Sequence, residues 1–430
     1  MEMVLEFLRD VLSQPALLIG IMSCIGLIAL KRPFHKVMTG TLKPILGYLM
    51  LAAGAGVIVN NLDPLGKMIE HGFHITGVVP NNEAIVAVAQ KVLGVETMSI
   101  LVVGLLMNLC IARFTKFKYV FLTGHHSLFM ACLMSAVLGT AGLSGMELIL
   151  VGGFLMGAWS AISPAIGQSY TSKVTDGDEI AIGHFGSLGY YLSAWVAKYV
   201  GKADDSTEDI EIPEKWGFLR DSTLSGDMSP YLYAVMSAMN FAVGVTIVYS
   251  GVRMILGDLI PAFQGIATKI IPNAIPAVDC AVFFTYAPTA VVLGFISSFI
   301  GGIIGMLILG AVGGVLIIPG LVPHFFCGAT AGIYGNATGG RRGAAVGAFL
   351  NGLAITFLPA LALPVLGQLG FQNTTFGDAD FAVMGLVLGH AFEWIGMAGI
   401  YGIVAIAALV LIIPNFIKTK GKVINYVEEE

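Results

Sequence analysis

Long apolar runs fill most of the chain, and short polar breaks divide them. The runs fall near residues 14–30, 43–60, 97–112, 119–140, 147–168, 231–252, 281–300, 302–321, 343–366 and 381–414. A hydrocarbon core of about 30 Å takes roughly 20 apolar residues in a helix, so most of these runs predict a spanning helix. The last is long enough for one tilted helix or for a short segment followed by a full one. The ten-residue alternation that marks a membrane β-barrel strand is missing. Half-apolar stretches near 82–95, 180–200 and 262–280 are broken by Gly, Pro, Asn or charge, which predicts re-entrant or interfacial pieces. The pattern predicts an all-α polytopic membrane protein with about 10–11 transmembrane helices plus re-entrant or broken ones.

Composition supports that pattern. Of 430 residues, 56% are hydrophobic and 11% charged, against about 25% charged in an average soluble domain. The formal net charge of -5 points to no nucleic-acid partner. The five cysteines, Cys24, Cys110, Cys132, Cys280 and Cys327, sit in or beside apolar runs without CxxC spacing and read as small hydrophobes, with no zinc site and no disulfide framework. Glu2, Glu6, Arg9 and Asp10 precede the first apolar run, and no small-residue cleavage pattern follows, so a retained first helix is expected. Basic flanks at Lys31/Arg32/Lys36, Arg113/Lys116/Lys118, Arg341/Arg342 and Lys418/Lys420/Lys422 mark cytoplasmic ends and place the tail, 415–430, in the cytoplasm. The one long hydrophilic segment, Gly201 to Pro230, reads first as a solvated connector and second as a docking surface. Phosphate-loop and zinc-protease motifs are missing, and "GGRRGAAVG" from Gly339 reads as a cytoplasmic turn and helix entry.

A weak internal repeat is visible. "YVFLTGHHS" from Tyr119 aligns with "PHFFCGATA" from Pro323 through Gly124 and Gly328, and "GVVPNNEAIVAVAQ" from Gly77 aligns with "TYAPTAVVLGF" from Thr285 through Pro80 and Pro288. Interrupted apolar segments at matching places in two halves point to a transport site. The expected division is a first repeat over about 14–200, the connector at 201–230 and a second repeat over about 231–414.

Polar groups at membrane depth are costly, about 2.5–3.5 kcal/mol each on insertion scales, so those present face a cavity or a partner. In "TGHHS", Thr123, His125 and His126 open an apolar run, and adjacent histidines point about 100° apart on a helix. His125 reads either as a capping or interfacial residue or as a substrate ligand. In "IAIGHFGSLGYY", His184 reads as an interface residue or a ligand, and Tyr190 and Tyr191 as membrane-interface aromatics. Asp279 stands before Cys280 among Pro272, Pro276 and Pro288, where it is a helix N-cap, a ligand, or both. Thr285 and Thr289, four apart, are spaced to share one helix face. In "PNNEA", Asn82 and Glu83 read as a helix cap with an acidic first turn or as the matching polar group of the other half. His390 and Glu393, three apart, are placed to pair with each other.

The blocks "LTGHHS", "TDGDEIAIGHFG", "GVRMILGDLIPAFQGI" and "AIPAVDCAVFFTYAPTAVVLGF", with "LIIPG" downstream, resemble the ascorbate-specific membrane permease component, enzyme IIC, of the bacterial phosphoenolpyruvate-dependent phosphotransferase system. The resemblance covers nearly the whole chain. It implies one enzyme IIC transmembrane domain over 1–430, built from two inverted repeats with a core domain and a V-shaped scaffold domain. It further implies a homodimer in the bacterial inner membrane that carries L-ascorbate inward by an elevator motion. A separate cytoplasmic IIB subunit, charged by IIA, would phosphorylate the substrate to L-ascorbate 6-phosphate, so this chain needs no cofactor and holds no phosphoryl-carrying residue. Carried over by motif, the ligand groups are His125, His184 and Asp279, with Thr123, Thr285, Asn82 and Glu83 as further candidates. Two departures stand out: Phe129 and Phe185 occupy positions where the resemblance expects Gln, and an apolar segment expected after the acidic connector is missing. The alternative reading is an ion-coupled secondary transporter of a small sugar acid or polyol, with Asp279 and a histidine as the coupling site.

Overall fold

A computed structural model describes residues 11, 14–73, 77–80, 82–209, 270–367 and 375–417, together with helical positions scattered through 240–269. Most of the acidic connector, the basic tail and the charged residues before the first run lie outside the described residues.

The fold is mostly helical. Helix α1 spans Pro15–Ala29, with proline in its first turn where no N–H is needed; α2 spans Phe34–Phe73 and α3 Asn82–Phe114. Then come α4 (Gly124–Thr140), α5 (Gly145–Ile166), α6 (Gln168–Val174) and α7 (Ser187–Val200). After the connector follow α8 (Pro288–Ala311), α9 (Leu321–Gly367), α10 (Ala379–Ile395) and α11 (Met397–Ile412). Six of the described helices are long and apolar enough to cross a membrane. The long final run resolves into two helices, because Gly396 at φ +67° breaks it between α10 and α11. The runs at 281–300 and 302–321 resolve differently: α8 takes residues of both, and the chain from Val312 to Gly320 is non-helical.

Small residues set the helix packing. Gly294 of α8 lies against the Gly328 carbonyl and the Gly332 backbone of α9, so a Cβ there would approach within 2.5 Å of that carbonyl. Close backbone approach of this kind holds helices together where lipid removes the hydrophobic drive. Within α9, Gly339 and Gly340 leave helical geometry, with Gly340 at φ +58°. The start of the connector is strapped over that kink. Arg341 donates to the Ser206 carbonyl at 2.8 Å and pairs with Asp205 at 3.3 Å, while Glu208 caps α8 through Thr289 N at 2.9 Å and Ala290 N at 3.2 Å. The described part of the connector, residues 201–209, is therefore bound down on the helices.

The all-α expectation needs one correction. Three short strands, β1 (Tyr119–Phe121), β2 (Ala181–Ile182) and β3 (Ile275–Val278), form a parallel sheet in the order β1-β3-β2. Tyr119 pairs with Ile275, and Ala181 with Ala277. Strands of two to four residues leave no measurable alternation in an apolar sequence, and Pro276 disfavours a helix there. An open sheet edge is intolerable in lipid; a buried amide closes the β1 edge, and another bonds the chain just before β2. Asn108 of α3 accepts from Phe121 N at 3.0 Å and donates to the Tyr119 carbonyl at 3.2 Å. Gln168 donates to the Ile180 carbonyl beside β2 at 2.9 Å.

Candidate functional site

Each strand of the sheet ends on a polar residue, and the parallel arrangement carries all three ends to the same place. β1 leads into Thr123, His125 and His126 at the start of α4. β2 leads through Gly183 to His184; a Cβ at Gly183 would come within 2.4 Å of the Ala277 carbonyl of β3, so only glycine allows this approach. β3 leads into Asp279, which caps the 3-10 turn Cys280–Thr285 by accepting from Ala281 N at 3.0 Å. The N-cap read from the sequence is present, and it uses only one carboxylate oxygen. The other lies 3.5 Å from His125 Nε2.

His125 is the accessible member, its side chain 35% exposed. Its Nδ1 lies 3.3 Å from the Tyr48 hydroxyl on α2. The Thr123 hydroxyl is buried without a hydrogen-bond partner, and Thr123, Tyr48 and Asp279 line one cleft with Leu122, Ile255 and Val278. An unsatisfied buried hydroxyl costs about 1–3 kcal/mol, and the cleft beside this one, about 10 Å³, has room for a water-sized partner.

Behind His125 lies a packed row of rings. His126 stands 4.7 Å from His125 and 3.8 Å from His184, centroid to centroid. His184 Nδ1 receives Gly186 N at 3.2 Å and meets the Tyr190 hydroxyl at 2.8 Å. Phe185 stacks on Phe121 at 4.6 Å and His126 on Phe381 at 5.7 Å, so Phe185 serves the apolar wall behind the site. Tyr190 and Tyr191 were expected at the membrane interface. Both are instead buried, Tyr190 at 0% exposure, and Tyr191 donates to the Ser163 carbonyl at 2.9 Å.

A second polar group lies alongside. Cys327 donates to Asp378 Oδ1 at 2.7 Å, and Asn82 donates to Asp378 Oδ2 at 2.6 Å while accepting from Gly377 N at 2.9 Å. His184, Cys327 and Asp378 bring one donor atom each within 4.8 Å of one another, joining the two groups. Cys327 is therefore no plain hydrophobe. Asp380 accepts from Ser187 at 2.8 Å, Leu188 N at 3.0 Å and Trp159 at 3.3 Å, fixing the turn that follows His184.

Among the sequence candidates, the structure brings Thr123, His125, His184 and Asp279 together and sets Asn82 in the adjoining group. Thr285 stands apart, its hydroxyl donating to the Val282 carbonyl at 3.2 Å. Thr285 and Thr289 share no helix face, because the chain leaves the 3-10 turn at Tyr286 before α8 begins. Glu83 lies in the first turn of α3, with its side chain outside the described residues. His390 and Glu393 pair with each other at 2.9 Å on the exposed side of α10. Sequence reading missed Tyr48, Cys327, Asp378 and Asp380. The last two carried a usable signal, two acids in "GDADF" at the mouth of an apolar run.

Spanning helices wrapped around a buried polar cluster, with that cluster carried on broken segments, define a polytopic membrane permease. The chain belongs to the PTS system sugar-specific permease component family, EIIC-GAT, whose model matches residues 10–380. It is a multi-pass protein of the bacterial inner membrane. It is similar to the ascorbate-specific PTS system EIIC component of Mycoplasma pneumoniae, at 26% identity over 417 residues and 77% of this chain. The chain spans 62% of the length of that relative.

Proposed function

We propose that this chain is the membrane component of a phosphotransferase uptake system for L-ascorbate. It binds the substrate and carries it inward, and a separate IIB subunit, supplied by IIA, phosphorylates it to L-ascorbate 6-phosphate. The observation that carries this reading is the convergence of Thr123, His125 and Asp279 at the ends of β1 and β3, with the Thr123 hydroxyl unpartnered and the 35% exposed His125 imidazole beside the Asp279 carboxylate. These groups offer the donors and acceptors that a small polyhydroxylated lactone needs, each hydrogen bond to a charged group contributing about 1.5–3 kcal/mol. The named relative supports the choice of substrate.

Two structural repeats fit the element order. Helix α3, strand β1 and helices α4 and α5 correspond to the 3-10 turn with α8, the stretch around Ile317, and the two parts of α9 on either side of Gly339. A parallel bridge between Val78 and Ile317 is the counterpart of the β1–β3 pairing. In this register Asn82 matches Asp279 and Gly124 matches Leu321, an offset of 197 (279−82 and 321−124), seven short of the 204 through Gly124 and Gly328 and eleven short of the 208 through Pro80 and Pro288. Inverted repeats of this kind suit an elevator motion of a core against a scaffold within a homodimer.

The test is uptake by cells or proteoliposomes. Transport that requires the cytoplasmic phosphocarrier proteins and yields only phosphorylated product is expected. Accumulation of free ascorbate driven by a proton or sodium gradient alone overturns the proposal in favour of an ion-coupled carrier.

A further inference from the structure

The charge around the cleft does not suit an anion, and ascorbate is an anion at neutral pH. The titratable and charged groups facing His125 are Asp279 from the turn after β3, Tyr48 from α2, His126 on its own helix, His184 from the turn after β2, and Asp378 before α10. Neither Lys nor Arg is among these described groups. Among the described groups, two carboxylates and no fixed cation leave the histidines as the source of positive charge.

The three imidazoles are not equivalent. Phe185 N donates to His126 Nδ1 at 3.4 Å, and Gly186 N donates to His184 Nδ1 at 3.2 Å. A backbone N–H cannot turn away or accept, so both rings are held in the tautomer with Nδ1 bare, and adding a proton there costs that hydrogen bond. Among the described residues no backbone N–H meets His125. Its Nδ1 meets the Tyr48 hydroxyl, which can accept as readily as donate, and its Nε2 meets the Asp279 carboxylate. His125 is the one ring of the three built to carry two protons, and the most exposed of them, at 35% against 3% for His126 and 4% for His184.

Resting on the ascorbate reading above, we propose that the site binds its anionic substrate together with one proton, held on His125 between Asp279 and Tyr48. The proton comes from water, adds to the neutral imidazole, and forms an imidazolium that offsets the Asp279 charge, so the incoming anion no longer meets an uncompensated carboxylate. Affinity for the anion is then highest at low pH and falls as the imidazole loses its proton. A neutral lactone of the same carbon skeleton, which lacks the acidic enediol, needs no such proton.

The experiment is isothermal titration of the purified full chain with L-ascorbate and with L-gulono-1,4-lactone, in buffers of different ionisation enthalpy. Uptake of about one proton per ascorbate, none per lactone, and a fall of about tenfold in ascorbate affinity per pH unit between about pH 6 and 8 are expected. Loss of that uptake in His125→Gln assigns the proton. Ascorbate binding with no proton uptake overturns this inference alone, and undiminished uptake in His125→Gln overturns its assignment to His125. No binding of either compound at any pH overturns the ascorbate reading and this inference with it.

Discussion

Two neighbouring regions bury carboxylates by opposite means. At the end of β3, Asp279 satisfies one oxygen by capping its own turn and turns the other to a half-exposed histidine. Around α10, Asp378 and Asp380 spend their oxygens on groups fixed by the fold, a thiol and an amide for the first, a hydroxyl, a backbone N–H and an indole for the second. The first region keeps a partner that can titrate and a hydroxyl, Thr123, that has no partner. The second is closed. On the proposed reading Asp279 exchanges partners with a ligand, while Asp378 and Asp380 hold the frame around it.

That contrast makes substitutions in the two regions fail differently. Asp279→Ala should show the largest functional effect, weakening ascorbate binding by about 100-fold, near 3 kcal/mol for a lost charged hydrogen-bonding group. Its melting temperature should fall far less than that of an Asp380 variant, and titration beside thermal unfolding checks both. Asp380→Ala strands three donors in a water-poor interior, which should cost about 2–3 kcal/mol of stability and several degrees of melting temperature. Ascorbate affinity of the protein that still folds should stay within about threefold. If Asp380→Ala instead abolished binding in a fully folded protein, the division between the two regions would be wrong. Asp378→Asn keeps the shape but weakens the acceptor for Cys327 and Asn82, for about 1 kcal/mol in thermal unfolding. Thr285→Ala removes a hydroxyl that bonds only its own turn, so binding and stability should both shift by less than about 0.5 kcal/mol.

Much of the helical frame was legible in the apolar runs, because a spanning helix needs a length of apolar chain that little else produces. The Asp279 cap was legible too, since an acid before a helical start is a local signal. The sheet was not. Its strands are short, they pair residues far apart in the chain, and Asn108 at the β1 edge and Gln168 just before β2 are amides that look unremarkable within their helices. Without the sheet, no local pattern says that the residues after Phe121, Ile182 and Val278 meet, and only the family resemblance grouped His125, His184 and Asp279. Tyr190 was misplaced for a related reason: an aromatic near a helix start looks the same at an interface as in a core, and only its partner His184 distinguishes them. Asp378 and Asp380 left a signal in "GDADF", but that signal does not tell a capping acid from a buried network acid, because the two share one local pattern.

The central claim is that separate strands of one sheet build a single ligand site. A double-mutant cycle in ascorbate binding tests it most directly, with Thr123→Val after β1 and Asp279→Asn after β3, alone and together. Both residues line the same cleft, so each change should weaken binding and the double variant should lose about 1 kcal/mol less than the sum of the two. Unchanged affinity in all three variants, measured on folded protein, would contradict the account.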